Sequence, residues 1–258
     1  MKYTCFVKDD KISYQYFQAI ATFLDAYGWR RDDIEPQLVI SIGGDGTVLA
    51  AIHKYILNLG NVAFVGIHTG NLGFFNDYRV EEVKDFIQDV ISKQPKVEYR
   101  NMVQAVVDNN PQKTFYALNE IRIENNIKTQ NLQVNIDNQV FEVVRGSGIC
   151  ISTQSGSTAY NRSLGGAVMD ENIIGLQISE IVPIHNSRFH SLRSPLVLNP
   201  NRKVSVVAQD FSYSVLCYDH LFYQLNGHHK IDLSISDKLV YFARFKEVDN
   251  IKRLMTLF

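Results

Sequence analysis

Apolar positions along this chain change their spacing several times, and each change predicts an element. Residues 3–7 read as a short first strand. Ile12, Tyr16, Ile20, Phe23, Leu24 and Tyr27 then recur at threes and fours, which predicts a helix that Gly28 ends. Leu38, Val39, Ile40 and Ile42 form an apolar, partly β-branched run of the kind that makes a buried parallel strand. Gly43 and Gly44 stop it. From Thr47 the spacing is helical again, through Val48, Leu49, Ala51, Ile52 and Tyr55. Residues 62–67 repeat the buried-strand pattern and lead into the loop HTGNLGF at 68–74. Val83, Phe86, Ile87, Val90 and Ile91 give one helical face, closed by Pro95. Strands alternating with helices predict a parallel, wound sheet. Ligands of such sheets sit at the carboxyl ends of the strands, where both glycine loops fall, so the two loops are expected to face one cleft.

After about residue 100 the texture becomes two-fold. Val103, Ala105 and Val107 alternate, as do Ile121 with Ile123 and Leu132 with Val134 and Ile136; residues 140–144, 204–208 and 231–235 add further short strands. Asn138 and the pair Asn226-Gly227 supply turn chemistry. The expected fold is therefore an α/β N-terminal domain with a parallel wound sheet (1–100) plus a mostly antiparallel β C-terminal domain (101–244), the latter carrying one helix near 173–181. A tail, 245–258, keeps Val248, Ile251, Leu254, Met255, Leu257 and Phe258, and is expected to dock on its own chain or a neighbour. No internal repeat or low-complexity linker interrupts the chain.

Composition narrows the partners. The 258 residues carry 26 basic and 27 acidic side chains, with no basic block. Nucleic-acid and membrane-surface roles therefore gain no support. Cys5, Cys150 and Cys217 are scattered and make neither a disulfide framework nor a zinc signature, as a reducing compartment favours. The N-terminus MKYTCFVKDD has charges where a signal peptide needs apolar residues, and no run approaches the roughly twenty of a membrane span. A soluble cytoplasmic protein is expected.

Candidate chemistry starts at the glycine turn. A strand, two glycines and a helix N-terminus bring unpaired N–H groups and the helix dipole to one spot, which suits an anion. Asp45 inside that turn is the odd feature. A carboxylate beside bound phosphate is costly unless it holds a metal or takes a proton from an attacking hydroxyl. The stretch matches neither common phosphate fingerprint, since no Lys-Ser/Thr follows the glycines and GxGxxG is absent. Taken alone, it fits an ordinary α/β turn equally well.

Three polar stretches interrupt the β region: Leu118-Asn119-Glu120, Arg145-Gly146-Ser147-Gly148, and STQSGSTAYNRSLGG at 152–166. A Ser/Thr/Gly segment is more often a solvated loop, and Asn119-Glu120 alone reads as an inter-strand turn. Tyr160 among small hydroxyl residues argues the other way, because an aromatic face ringed by donors suits a planar, hydroxylated ligand.

GGDGT at 43–47, the HTGNLGF loop, Asn119-Glu120, and SGSTAYNRSLGG at 155–166, in that order, resemble the NAD kinases over most of the chain. GGDGT is shared with lipid kinases and phosphofructokinases; the later GSTAY…GG separates this family. The resemblance implies an α/β plus β architecture, a homodimer or homotetramer, and transfer of the γ-phosphate of ATP to the adenosine 2′-hydroxyl of NAD, making NADP. The compact length resembles bacterial members. By position, Asp45 resembles the catalytic carboxylate, and Gly43, Gly44, Gly46 and Thr47 the ATP phosphate-binding turn, with Asp45 and Gly46 also beside NAD. Asn119 and Glu120 resemble residues gripping the NAD ribose region. Ser155, Thr158, Ala159, Tyr160, Asn161, Arg162 and Ser163 fall in the adenosine-side loop. Arg145 and Ser147 fit contacts near the same pocket, and Val182, Ile184 and His220 its lining. Two positions depart from the family pattern: its GDG is Gly146-Ser147-Gly148 here, and its Thr-Pro is Thr153-Gln154, which bears on how the adenine amino group is read. Glu120 is the alternative base. No cluster of acids or histidines is visible as a metal site, so Mg²⁺ is expected on phosphate and water; ATP is the expected donor, with inorganic polyphosphate as a second. His228 and His229 read as solvated hairpin residues. A lipid kinase of the diacylglycerol type and a non-catalytic nucleotide-binding regulator are the competing readings.

Overall fold

The computed structural model describes residues 1–70, 73–186, 191–247 and 249–255. Asn71 and Leu72 of the HTGNLGF loop, and Val248, Leu257 and Phe258 of the tail, lie outside the described residues. The chain divides into two compact units, Met1–Arg100 with Leu239–Phe258, and Asn101–Lys238.

The first unit opens with β1 (Lys2–Val7), α1 (Lys11–Ala26), β2 (Arg30–Arg31), β3 (Leu38–Ile42), α2 (Asp45–Lys54), β4 (Ala63–His68), β5 (Tyr78–Arg79) and α3 (Val83–Ser92). β1 pairs with β2 and β3, β3 with β4, and β4 with β5 and residues 241–242, every pair parallel. The parallel sheet expected from the strand–helix alternation is present. Leu38, Ile40, Ile42, Val65 and Ile67 share one core with Ile20 and Leu24 of α1 and with Val83, Phe86, Ile87 and Val90 of α3. Val39 points to the other face, where α2 packs through Val48, Leu49, Ala51 and Ile52. Asp10 caps α1 by accepting from the Ser13 N–H at 2.8 Å, and Gly28, at φ +77°, ends it in the left-handed conformation that glycine tolerates best. One boundary differs from the expectation. α2 begins at Asp45, two residues before Thr47, with Gly44 as its extended N-cap. Apolar spacing reports only where a helix starts to be buried, whereas its true first turn is polar and faces out.

The second unit holds most of β6 (Lys96–Val107), then β7 (Thr114–Ala117), β8 (Glu120–Glu124), β9 (Gln130–Ile136), β10 (Gln139–Gly146), β11 (Gly148–Ser152), α4 (Tyr160–Ser163), β12 (Leu176–Ile181), β13 (Leu196–Leu198), β14 (Val204–Val207), β15 (Val215–Tyr218), β16 (Leu221–Gln224) and the start of β17 (Lys230–Arg244); α5 (Asn250–Met255) follows in the first unit. One set of strands runs β10-β9-β14-β17, with β6 beside β17 and β7. The other is an antiparallel sheet in the order β13-β12-β11-β8-β15-β16. Their inner faces share one core: Ile121, Ile123, Ile149, Ile151, Leu176 and Leu216 from the latter meet Val103, Leu132, Val134, Val204, Val206 and Ile231 from the former.

Three expectations are corrected here. The helix near 173–181 is strand β12. Ile174, Ile178 and Ile181 fit a helical spacing, but Leu176 and Ile178 also fit a period of two, and ladders to both β11 and β13 decide between them. Asn226-Gly227 does turn the chain, with Gly227 at φ +77°, yet it joins β16 to β17 in different sheets rather than closing a hairpin. Asp137 and Asn138, at φ 51° and 66°, make the true two-residue hairpin between β9 and β10. His228 is not a solvated hairpin residue: its side chain is 12% exposed, with Nδ1 2.6 Å from Asp108 and Nε2 3.2 Å from the Tyr223 hydroxyl.

Candidate active site

The candidate residues fall into two groups, one in each unit. In the first unit, Gly43 continues the β3 ladder by donating to the Ile67 carbonyl at 2.9 Å, then turns at φ +156°. A Cβ there would meet Thr47 Oγ1 at 2.2 Å, so only glycine lets the Thr47 side chain fold over the turn. Gly44, Asp45, Gly46 and Thr47 follow as the N-cap and first turn of α2; the N–H groups of residues 44–46 precede the helical ladder, and the Thr47 N–H donates to the Gly44 carbonyl at 2.9 Å.

Asp45 is held from outside its own helix. Its carboxylate accepts from the Phe74 N–H at 2.7 Å, the Phe75 N–H at 3.1 Å and the Asn76 side-chain amide at 2.8 Å. A carboxylate has about four acceptor positions, so one remains for an incoming hydroxyl. The loop can come this close because residue 73 is glycine: a Cβ on Gly73 would lie 2.2–2.4 Å from the three carboxylate atoms of Asp45. Asn76 fits in turn against Gly66 of β4, where a Cβ would meet its Oδ1 at 2.4 Å. His68, at the carboxyl end of β4, is 3% exposed, and burial lowers its pKa against an opposing contact with the Gly70 backbone.

In the second unit, Asn119-Glu120 and the polar stretch 152–166 come together. The Thr153 N–H donates to the Asn119 carbonyl at 2.9 Å and the Thr153 hydroxyl to the Leu118 carbonyl at 2.6 Å. Gly156 lies so close that a Cβ would sit 2.1 Å from the Asn119 carbonyl oxygen. The stretch is therefore built rather than solvated. It forms a tight turn over Ser155–Thr158 followed by α4, and it covers a polar sheet face: Ser179 donates to the buried Asn161 Oδ1 at 2.6 Å, and Gln177 brackets the Ala167 backbone at 2.7 and 3.0 Å. Thr158, Ala159 and Tyr160 are half-buried, while Arg162 and Ser163 are exposed.

Asp219 completes this corner. Its carboxylate accepts from the Leu118 and Asn119 N–H groups, each at 2.8 Å, and its backbone sits at φ 51°. Next to it, Glu120 is 5% exposed; burial, then the Asp219 carboxylate, pushes its pKa up to about 7. Glu120, Arg122 and Glu124 alternate along one face of β8, with the Arg122 guanidinium 2.8 Å from Glu124 and 4.0 Å from the Tyr160 ring centre. One face of Tyr160 is thus taken by a cation. Asn119 Oδ1, Glu120 Oε2, Gln154 Oε1 and Ser155 Oγ are buried without a partner among the described residues.

Arg145, Ser147, Val182 and Ile184 gather at the other end of β11. The Ser147 N–H donates to the Ile181 carbonyl at 3.0 Å and Ile184 to the Arg145 carbonyl at 2.7 Å. The Ser147 carbonyl takes bonds from Asn125 and Gln130, at 2.8 and 2.9 Å. Its flanking glycines are obligatory: a Cβ on Gly146 would meet the Val182 carbonyl at 2.7 Å, and one on Gly148 the Ile123 carbonyl at 2.0 Å. Val182 itself holds φ 48°, a strained value for a β-branched residue. His220 is exposed beside Asp219.

Asn76, the Phe74 and Phe75 amides, Asp219 and Arg122 are functional candidates that sequence reasoning missed. Backbone amides leave no trace in a sequence. Asp219 adjoins the candidate His220, and Asn76-Asp77 closes the HTGNLGF loop, so the nearness of polar pairs to candidate residues was the available signal.

A parallel α/β unit with a carboxylate in a glycine-bounded helix turn, in one chain with a β sandwich that leaves polar atoms unpaired at a built loop, defines a nucleotide-binding phosphotransferase. The profile of the ATP-NAD kinase C-terminal domain matches residues 118–245. NAD kinase 1 of Listeria monocytogenes serotype 4b is 40% identical over 95% of this chain and 94% of its own length. NAD kinase 1 of Halalkalibacterium halodurans is 34% identical over 100% and 98%. The chain belongs to the NAD kinase family. Its fold is that of an NAD kinase from Archaeoglobus fulgidus solved with ATP, with a TM-score of 0.80 at 23% identity over 100% of this chain and 98% of the other. A yeast NADH kinase solved with NADH gives a TM-score of 0.84 at 22% identity, over 98% and 85%.

Proposed function

We propose that this chain transfers the γ-phosphate of ATP to the adenosine 2′-hydroxyl of NAD, with Asp45 as the general base. The observation that carries the mechanism is the Asp45 carboxylate, fixed by three N–H donors at the first turn of α2 with one acceptor position left open. The N–H groups of residues 44–46 hold the ATP phosphates. The 2′-oxygen attacks the γ-phosphorus, the bond to the ADP oxygen breaks, and the hydroxyl proton passes to Asp45. Phosphoryl transfer has a loose transition state in which the alcohol proton leaves late, so positioning of the base matters most.

Mg²⁺ supplies charge neutralisation on the phosphates. Among the described residues no three His, Cys, Asp or Glu side chains gather as a metal site. Asn119 and Glu120 grip the ribose, and the residue 155–163 segment receives the adenosine with the Tyr160 face opposite Arg122. The unpaired atoms of Asn119, Glu120, Gln154 and Ser155 support this reading, since they suit a ligand rich in hydroxyl and amine groups and not an acyl chain. That is the argument against a diacylglycerol substrate.

Among the described residues no helix is long and apolar enough to cross a membrane. A cytoplasmic homodimer or homotetramer is the accompanying expectation, checked by light scattering. The test of function is an assay with NAD, Mg²⁺ and either ATP or polyphosphate, read by an NADP-specific dehydrogenase. NADP formation that depends on the donor is expected, and binding of NAD without turnover would replace the enzyme by a regulator.

A further inference from the structure

Arg253 of α5 is 5% exposed and reaches into the loop that grips Asp45. Its guanidinium donates to the Phe74 carbonyl, the Asn76 carbonyl and Asp77 Oδ1, each at 2.6 Å. The two carbonyls belong to the short segment whose N–H groups, at Phe74 and Phe75, and whose Asn76 side chain hold the Asp45 carboxylate. A planar fork reaches two carbonyls and a carboxylate from two separate nitrogens; an ammonium, with its donors on one atom, cannot reproduce that geometry. Arg244 shares Asp77 Oδ1 at 2.5 Å and also reaches Glu98 at 3.2 Å. Asp77 and Glu98 thus balance the two arginines. Arg244 spends its donors on these carboxylates, whereas Arg253 spends two of its own on the backbone of the loop.

We infer that Arg253 is a positioning residue for phosphoryl transfer: it clamps the 74–77 segment so that its amides aim at Asp45 and leave the remaining acceptor position facing the incoming hydroxyl. The inference rests on Asp45 being the base. Arg253 acts through the backbone of the 74–77 segment, so its loss changes the rate of the chemical step more than the binding of NAD.

The experiment compares Arg253→Lys, Arg244→Lys, Asp45→Asn and the double variant Arg253→Lys/Asp45→Asn, recording kcat, KM for NAD, and Tm. Arg253→Lys is expected to lower kcat by at least ~10-fold, since displacements of the order of 1 Å at a catalytic group cost up to about 10²-fold. KM for NAD stays within about threefold. Arg244→Lys lowers Tm about as far as Arg253→Lys does, with kcat nearly unchanged, and the double variant turns over no more slowly than Asp45→Asn alone. Should Arg253→Lys be unfolded by circular dichroism, Arg253→Gln takes its place. Wild-type kcat in the Arg253 variant, an equal kcat loss in Arg244→Lys, or multiplicative losses in the double variant would overturn the inference while leaving Asp45 as base. Near-normal turnover of Asp45→Asn would instead remove the base reading, and the inference with it.

Discussion

Replacing Asp45 by asparagine conserves shape but not hydrogen bonding, and the structure sets what that costs. Oδ1 accepts from the Phe75 N–H and the Asn76 amide, at 3.1 and 2.8 Å, and Oδ2 from the Phe74 N–H at 2.7 Å. An amide has one oxygen. If it keeps the pair at Oδ1, its NH₂ faces the Phe74 N–H donor to donor, and the shortest of the three bonds is lost. A hydrogen bond to a charged group contributes about 1.5–3 kcal/mol, so Asp45→Asn, at a half-buried site, should lose stability of at most that order. At roughly 2–4 °C per kcal/mol for a chain of this size, Tm falls by at most about 3–12 °C. Turnover falls by at least ~10²-fold through loss of the base. NAD affinity stays within a few fold, because most of the residues proposed to bind it, Asp45 and Gly46 apart, lie in the second unit. Differential scanning fluorimetry, calorimetric NAD titration and the coupled assay measure the three quantities separately. Turnover near wild type would refute Asp45 as base and promote Glu120. A Tm equal to wild type would refute the hydrogen-bond reasoning even if turnover fell.

Gly73→Ala places a methyl group within 2.4 Å of the Asp45 carboxylate, so kcat should fall by an order of magnitude or more with KM for NAD little changed; steady-state kinetics check this. Glu120 binds its proton more tightly folded, with a pKa of about 7, than unfolded, so the stability it contributes is full below about pH 4.5 and is lost as pH rises through 7. Relative to wild type, Glu120→Gln should therefore gain stability between pH 5 and 8, by on the order of 3 kcal/mol at most, and a pH-independent Tm difference would contradict the burial argument. Tyr160→Ala should raise the Kd for NAD by about 5–30-fold, through lost stacking on the face opposite Arg122, which is itself released, while Tyr160→Phe keeps most of the affinity; equal Kd values for Ala and wild type by calorimetry would place the adenosine elsewhere.

Much of this protein was legible in one dimension. The wound sheet follows from apolar runs broken by glycine, because a strand buried on both faces and a helix with one apolar stripe leave different periods in a sequence. GGDGT, Asn119-Glu120 and the GSTAY segment each read as ordinary turns or loops alone, and became specific through their order along the chain, which resembles the NAD kinases. Where two periods coincide, as at 173–181, local pattern carries no decision, and strand partners distant in the chain make β12. The same holds for the chemistry. Asp45 was visible as an anomaly, but the amides of Phe74 and Phe75, the Asn76 side chain and the Arg253 clamp that orient it are 29 to 31 residues away in the first three cases and further along the chain in the last. Backbone N–H groups have no letter in the sequence, and a buried arginine near a chain end reads like any surface one. Only closure of the tertiary structure brings such donors within about 3 Å of a carboxylate and removes the water that would otherwise compete for them.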